Sequence, residues 1–181
     1  MKIAATLLPG VLVLEPTVFE DERGHFFEAF NARQFTALTG LAPQFVQDNQ
    51  SRSKAGVLRG LHYQLQQPQG KLVRVIHGEI TDVVVDLRRQ SPGFGQWASV
   101  TLSAQNRRQL WIPEGFAHGF HVRSDIADVQ YKTTAYWSAP DERCLRWDDP
   151  DLAIDWQLTA PPLLSDKDRQ GVAWRHAEVF P

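Results

Sequence analysis

Leu72-Val73-Arg74-Val75-Ile76-His77, then Gly78, then Ile80-Thr81-Asp82-Val83-Val84-Val85-Asp86-Leu87: this stretch decides the fold. β-Branched residues crowd both halves, and such side chains favour the pleated strand over the helix. In the second half Val83, Val85 and Leu87 alternate with Asp82 and Asp86, which is the period of a half-buried strand. Outward from here the pattern recurs at 97–102, 108–112, 116–122 and 128–137, each segment bounded by Gly, Pro, Ser or Asp. Many short strands at this spacing predict an all-β sandwich or barrel.

Upstream, Val11-Leu12-Val13-Leu14, the polar turn Glu20-Asp21-Glu22-Arg23-Gly24 and Phe26-Phe27-Glu28-Ala29-Phe30 read as strand, turn, strand. Asn31 is placed to cap a short helix that runs through Phe35 and Leu38 and stops at Gly40. Downstream of Trp137 the prolines at 140, 150, 161 and 162 predict a loop-rich tail. Ser165-Asp166-Lys167-Asp168 then opens a short helical turn, with Ser165 and Asp168 at capping-box spacing and Asp in place of Glu.

A chain of 181 residues most simply forms one domain and buries roughly 70% of its unfolded surface. Hydrophobic residues at 43% and charged ones at 22% are ordinary for a globular protein with a true core. A net charge of -2 argues against duplex nucleic acid, whose binding needs a basic face. A small anionic ligand needs only a few local cations. Cys144 is the lone cysteine, so no internal disulfide and no cysteine-based metal site is expected, and a cytosolic setting fits. The apolar run Ile3 to Leu14 has the look of a signal-peptide core, but Pro9-Gly10 interrupts it and Glu15-Pro16 closes it, so an edge strand or arm is expected. No window approaches the roughly 20 apolar residues of a membrane span.

Chemistry concentrates between Gln47 and Arg74. Arg59, His62 and Lys71 offer an anion clamp, a proton acceptor and a fixed cation, separated by glycines that let backbone approach a ligand closely. His62 reads either as a strand histidine satisfied by a neighbour or as a base kept neutral by the two flanking cations. On Val129-Gln130-Tyr131-Lys132-Thr133, period two places Val129, Tyr131 and Thr133 on one face. Tyr131 is then either a cross-strand aromatic or a phenol that donates a proton into the interior. His118 and His121 fall on opposite faces of their strand, which makes a shared metal unfavourable. Asp168 reads equally as a helix-dipole partner. His25, His77 and His176 have no supporting neighbours and read as surface or packing residues.

Taken in order, Arg23-Gly24-His25-Phe26-Phe27-Glu28, Gln47-Asp48-Asn49, Leu58-Arg59-Gly60-Leu61-His62-Tyr63-Gln64, Gly70-Lys71-Leu72-Val73-Arg74, Ile112-Pro113-Glu114-Gly115-Phe116-Ala117-His118-Gly119-Phe120, Tyr131-Lys132-Thr133-Thr134 and Leu164-Ser165-Asp166-Lys167-Asp168 resemble the dTDP-4-dehydrorhamnose 3,5-epimerase family. The resemblance spans nearly the whole chain. It implies a cupin-type jelly roll that forms a homodimer through an arm at about 1–30, with a nucleotide sugar in the barrel mouth. It further implies His62 as proton acceptor, Asp168 as its orienting partner, Lys71 facing the keto oxygen and Tyr131 as proton donor. Arg23, Glu28, Gln47, Asp48, Asn49, Arg59, His118, Glu142 and Lys167 correspond to ligand contacts, with Arg23 and Glu28 reaching the nucleotide of the partner subunit.

That chemistry suits the residue types. C3 and C5 of a 4-keto sugar both flank the carbonyl, so each proton becomes removable once the enolate oxygen is stabilised. No hydride moves, so no nicotinamide is implied, and no Gly-rich dinucleotide loop is present. Asp166 stands where Glu is common in the family, and Trp137 lies in a variable segment that shapes the pocket. Three rival readings remain. A metal-dependent cupin would need the paired His-x-His that His62-Tyr63-Gln64 lacks; a non-catalytic nucleotide-sugar binding module would not need base, cation and phenol together; and an epimerase that inverts only C3 or only C5 would differ in contacts that sequence does not display.

Overall fold

The computed structural model describes all 181 residues, Met1–Pro181. In chain order the elements are β1 (Lys2–Thr6), β2 (Leu12–Glu15), β3 (Phe19–Asp21), β4 (Gly24–Phe26), α1 (Ala32–Thr39), β5 (Gln47–Lys54), β6 (Leu58–Gln64), β7 (Lys71–His77), β8 (Glu79–Asp86), β9 (Trp97–Ser103), β10 (Gln109–Ile112), β11 (Phe116–Val122), β12 (Ile126–Thr133), β13 (Glu142–Cys144) and α2 (Asp166–Arg169). A six-stranded sheet in the order β1-β2-β10-β7-β12-β5 faces a five-stranded sheet in the order β13-β6-β11-β8-β9, and β3 with β4 forms a separate hairpin. All pairings between these strands are antiparallel. This is the expected jelly-roll sandwich, with β1 at the sheet edge where the apolar N-terminal run was expected to lie.

Alternation along each strand fills the space between the sheets. Val13, Val73, Val75, Leu110, Ile112 and Val129 point inward from the large sheet and meet Ile80, Val84, Leu102, Phe116, Phe120 and Val122 from the small one. Each such side chain taken fully out of water contributes about 1.5–3 kcal/mol. The outer face of the large sheet is partly covered by α1, whose one buried residue, Phe35, packs edge-on against Trp111 at 5.4 Å between ring centroids. The side chain of Asn31 accepts from the Gln34 N–H, and Gly40 ends the helix at φ 73, as the sequence predicts.

Three expectations are corrected. β8 is buried along both faces: Asp82 and Asp86, each at 0% exposure, share the face of Ile80 and Val84 that looks into the sandwich, and the tail folds back over the outer side of the small sheet. Leu145, Leu152 and Trp156 from that tail pack on Val83, Val85 and Leu87. A strand covered on both sides reads as an apolar run broken only by satisfied polar groups, and Asp86 is held by two contacts from the Arg88 guanidinium and by the hydroxyl of Ser91. The strand expected at 128–137 stops at Thr133, where the side chain of Thr133 turns back to the Ala135 carbonyl. The strand expected at Phe26–Phe30 is only the short β4, and residues 27–31 run irregularly toward α1.

Candidate active site

A cavity of about 230 Å³ opens between the two sheets, and its walls carry Arg59, His62, Lys71, His118, Tyr131, Glu142 and Lys167 together with Ser51, Tyr63, Gln64, Gln69, Gly119, Phe120 and Trp137. Seven of the thirteen side chains named from the sequence therefore line one space. His62 and Arg59 are three apart on β6, and strict alternation would place them on opposite faces. A bulge reconciles them. His118 pairs with His62 but Phe120 pairs with Arg59, so β6 carries one residue more than β11 over this interval. Gly60, at φ 111, makes the bulge feasible, since a Cβ there would sit 2.7 Å from both Gly119 Cα and the His118 carbonyl oxygen.

Nε2 of His62 lies 2.6 Å from Oδ1 of Asp168. Asp168 is only 3% exposed. Its carboxylate also accepts the Gly60 N–H at 3.2 Å and the Ser165 hydroxyl at 2.7 Å. Burial alone would raise this carboxyl, but the hydrogen bonds from His62 and Ser165 outweigh it and bring the group down to about 2. The capping-box expectation holds by half: the Ser165 side chain accepts the Asp168 N–H, while the Asp168 carboxylate is shared between the Ser165 hydroxyl and the imidazole of His62 and makes no bond to the Ser165 backbone N–H.

Burial is also the leading reason that His62 titrates below its ordinary value; Asp168 opposes this, and the cations of Lys167 and Lys71 add to it. Arg59, expected to be one of the two depressing cations, instead donates to the Ser53 hydroxyl at 3.0 Å. A neutral His62 that donates Nε2–H to Asp168 leaves Nδ1 as an acceptor facing the cavity, and the bond to Asp168 is the only one the ring makes. That is the form a general base requires.

Lys71 is 7% exposed, and its Nζ has a single long contact to the His62 carbonyl at 3.5 Å. The cavity's carboxylates have other partners: Asp168 is hydrogen-bonded to His62, Asp82 to His118, and Glu142 forms an ion pair with Lys167 at 2.9 Å. Burial pulls the Lys71 ammonium down to about 8. It is a poorly solvated donor with room for a ligand oxygen. Across the cavity, the Tyr131 hydroxyl makes no hydrogen bond within the protein, and burial followed by the charge of Glu142 pushes the phenol up. It therefore holds its proton at neutral pH.

The remaining named residues divide by position. Gln47 and Asn49 lie on the inner face of β5, joined by a 2.9 Å hydrogen bond, and Gln47 Oε1 accepts the Trp137 N–H at 3.0 Å. Asp48 is not brought to the cavity. Alternation turns it to the outer face, where it pairs with Lys132 at 2.9 Å. Arg23 stands on the exposed β3–β4 hairpin against Asp21 at 2.6 Å, and Glu28 accepts from Asn31 and Gln34 beside α1. Within one chain neither reaches the cavity.

Sequence reasoning passed over Gln64, Gln69 and Asp82. Gln64 donates to the carbonyls of Gln67 and Tyr136 and accepts from the Ser138 N–H, while Gln69 donates to the Ala135 carbonyl. Together they hold the loop that carries Trp137. Ligand atoms of His62, Cys144 and Asp168 lie within 4.8 Å of one another. Burial pushes the Cys144 thiol up to about 12, so it stays protonated, and the short His62–Asp168 contact makes this group a hydrogen-bonded dyad with a neighbouring thiol.

His62 from the small sheet, and Tyr131 and Lys71 from the large one, line a single cavity. The family model for dTDP-4-dehydrorhamnose 3,5-epimerase matches residues 5–176. The enzyme of that name from Pseudomonas aeruginosa is 58% identical over 181 residues, covering 100% of both chains. A 3,5-epimerase from Legionella pneumophila, solved in complex with dTDP-4-keto-L-rhamnose, superimposes with a TM-score of 0.95 at 50% identity, covering 98% of this chain and 94% of its own. The 3'-monoepimerase ChmJ from Streptomyces bikiniensis, in complex with dTDP-quinovose, gives 0.87 at 31% identity over 96% of this chain and 87% of its own. With sequence, fold and cavity in agreement along its whole length, the chain belongs to the dTDP-4-dehydrorhamnose 3,5-epimerase family.

Proposed function

We propose that the chain epimerises dTDP-4-dehydro-6-deoxy-D-glucose at C3 and C5 to give dTDP-4-dehydro-L-rhamnose, as an isomerase whose proton transfers are made by its own side chains. One observation carries this reading. His62 projects from β6 of the small sheet and Tyr131 from β12 of the large sheet into the same cavity, with Lys71 of β7 beside them. Nδ1 of His62 removes the proton from the carbon next to the ketone, and the electron pair moves into the carbonyl to give an enolate. The Lys71 ammonium donates to the enolate oxygen; one such preorganised donor is worth roughly 3–4 kcal/mol to a developing oxyanion. Tyr131 then delivers a proton to the opposite face of the carbon. His62 and the tyrosinate are reset by exchange with solvent, and the cycle repeats at the second carbon.

Asp168 keeps the imidazole in the productive tautomer and orientation. Arg59, His118, Glu142 and Lys167 supply polar contacts along the walls, and Gln47 and Asn49 extend them at the rim beside Trp137. Arg23 and Glu28 serve the cavity of a second copy, so the working unit is a homodimer in which the whole chain acts as one domain and residues 1–30 form the arm. No helix is long and apolar enough to cross a membrane, and a cytoplasmic setting suits the free thiol of Cys144.

Proton NMR of the substrate in heavy water tests the assignment. Deuterium is expected at both C3 and C5 with wild-type protein and at neither with His62→Ala. Incorporation at one carbon alone would replace the reading with a mono-epimerase, and an active His62→Ala protein would remove His62 from the mechanism.

A further inference from the structure

His62 and Cys144 are paired residues on neighbouring strands. The β13–β6 register sets Cys144 opposite His62, so both side chains leave the small sheet on one face with their Cβ atoms about 5 Å apart. α2 brings Asp168 to the same spot. The carboxylate lies 2.6 Å from Nε2 of His62 and 3.9 Å from Sγ of Cys144, and one ligand atom from each of the three residues falls within 4.8 Å of the other two. Nitrogen, sulfur and oxygen converging at this range are a donor set for a thiophilic dication. The expectation that a lone cysteine makes no metal site counted thiols only, whereas the fold supplies the other donors from β6 and α2.

Little adjustment is needed. Around Zn²⁺, with bonds of about 2.1 Å to nitrogen or oxygen and about 2.3 Å to sulfur, tetrahedral donors stand about 3.4–3.6 Å apart. Oδ1 of Asp168 and Sγ of Cys144 already lie within a few tenths of an ångström of that spacing. Only the His62–Asp168 pair has to open, by about 0.8 Å. Charge is balanced as well: a thiolate and a carboxylate cancel the dication, so a site in which Asp168 is 3% exposed takes on no net charge. Lys167, the neighbour of Asp168 in sequence, is already held by Glu142 at 2.9 Å. The His62 side chain lines the cavity and is 24% exposed, which gives the ion a way in. Mg²⁺ and Ca²⁺, which take oxygen shells, do not suit these donors.

We propose that His62, Cys144 and Asp168 form an inhibitory site for Zn²⁺ or a similar thiophilic dication, with water as the fourth donor, and that occupancy switches the base off. On binding, the Sγ–H bond breaks and its proton passes to solvent, while Asp168 enters as the carboxylate it already is. Coordination takes the electron pair at Nε2, so the single proton of the neutral imidazole moves to Nδ1. Nδ1 then has no electron pair with which to accept a proton from the sugar, and Asp168 no longer holds the ring in its productive tautomer. The site itself follows from the geometry of the three side chains; its effect on turnover rests on the assignment of His62 as proton acceptor.

Co²⁺ is the probe, followed by absorbance in thiol-free buffer with wild type, Cys144→Ala and Cys144→Ser. Alongside it, turnover of dTDP-4-dehydro-6-deoxy-D-glucose is measured with added Zn²⁺ and again after EDTA. Because Cys144 is the only cysteine, a thiolate-to-cobalt charge-transfer band reports this site and no other. Wild type should develop the band at one ion per chain, and Zn²⁺ should bleach it by displacement. Saturating Zn²⁺ should stop wild-type turnover, and EDTA should restore it. Both variants should lack the band, keep their turnover without metal within about twofold of wild type, and need at least about 100-fold more Zn²⁺ for half inhibition, beyond the roughly 10- to 100-fold that loss of a supporting contact costs. No band in wild type, or equal Zn²⁺ sensitivity in whichever variant is folded, overturns the site and leaves His62 as the base untouched. A cysteine-dependent band with unimpaired turnover overturns instead the switch and, with it, the assignment of His62, so the two failures are separable.

Discussion

Replacing Lys71 by methionine should stabilise the fold while ending catalysis. The ammonium is 7% exposed and has no carboxylate partner, so the folded state holds it charged at a cost. That cost is measured by the displacement of its titration from 10.5 to about 8. At about 1.4 kcal/mol per pH unit, the displacement corresponds to about 3 kcal/mol. Methionine keeps most of the side-chain volume and loses only a 3.5 Å contact to the His62 carbonyl, which is too long to contribute much. The sign over pH follows from linkage. Below about 8 the lysine is charged in both folded and unfolded chains, and the penalty is fully present. Between about 8 and 10.5 the unfolded chain binds more protons than the folded one, so wild-type stability gains with pH relative to the variant. Above 10.5 both are neutral and the penalty has gone. Urea denaturation followed by tryptophan fluorescence should therefore show Lys71→Met about 3 kcal/mol more stable at pH 7, with the gap closing as pH rises toward 10.5. A variant less stable than wild type at pH 7, or a gap that does not narrow across that window, would refute the account of Lys71 as a strained, functional cation.

Asp168→Asn should lower kcat by about 10²- to 10⁴-fold with a smaller effect on KM, because an amide can favour the wrong imidazole tautomer; a near-normal kcat would show that His62 needs no orienting group. Tyr131→Phe should abolish formation of the epimer while some deuterium exchange at the substrate carbons persists, and an unchanged epimer yield by NMR would exclude the phenol as the acid. Gly60→Ala places a Cβ 2.7 Å from Gly119 Cα at φ 111, so thermal or urea unfolding should register a loss of at least about 2 kcal/mol; a stable variant would mean the bulge can relax. Gln64→Leu removes three hydrogen bonds to residues 67, 136 and 138 and should raise KM by about tenfold, each bond contributing about 0.5–1.5 kcal/mol, without moving the pH profile.

What the sequence made legible was local. The Asn31 cap and the Gly40 stop fix α1 because both act within one turn, and alternation fixes the inward set of β12, Tyr131 included, because it depends only on immediate neighbours. Alternation also turns Asp48 outward, which the motif Gln47-Asp48-Asn49 taken as a unit obscures. The misses share a different cause. That β8 shows no face to water depends on Leu145, Leu152 and Trp156, more than sixty residues downstream, folding over the Val83 side of the strand. The bulge that swings Arg59 to the His62 side depends on a register shift against β11, and the only local sign of it is a glycine.

The same long-range covering explains why the carboxylate that serves His62 comes from so late in the chain. The tail that seals the outer face of the small sheet is stitched beside β6 by a bridge from Leu163 to Val57 and closed on its own start, just after β13, by a bridge from Val172 to Leu145. Ser165 and Asp168 lie between those two anchor points on a single helical turn, and the Gly60 N–H, exposed by the bulge, is what Asp168 Oδ1 meets as it reaches His62. Packing and catalysis are thus satisfied by one segment: the residues that exclude water from Val83, Val85 and Leu87 also set the direction of the imidazole. The second imidazole, His118, sits opposite His62 in the strand register and takes its carboxylate from within the sheet, at Asp82. A dyad whose acid comes from the tail can form only after the tail docks, whereas one whose acid lies on the adjacent strand forms with the sandwich itself.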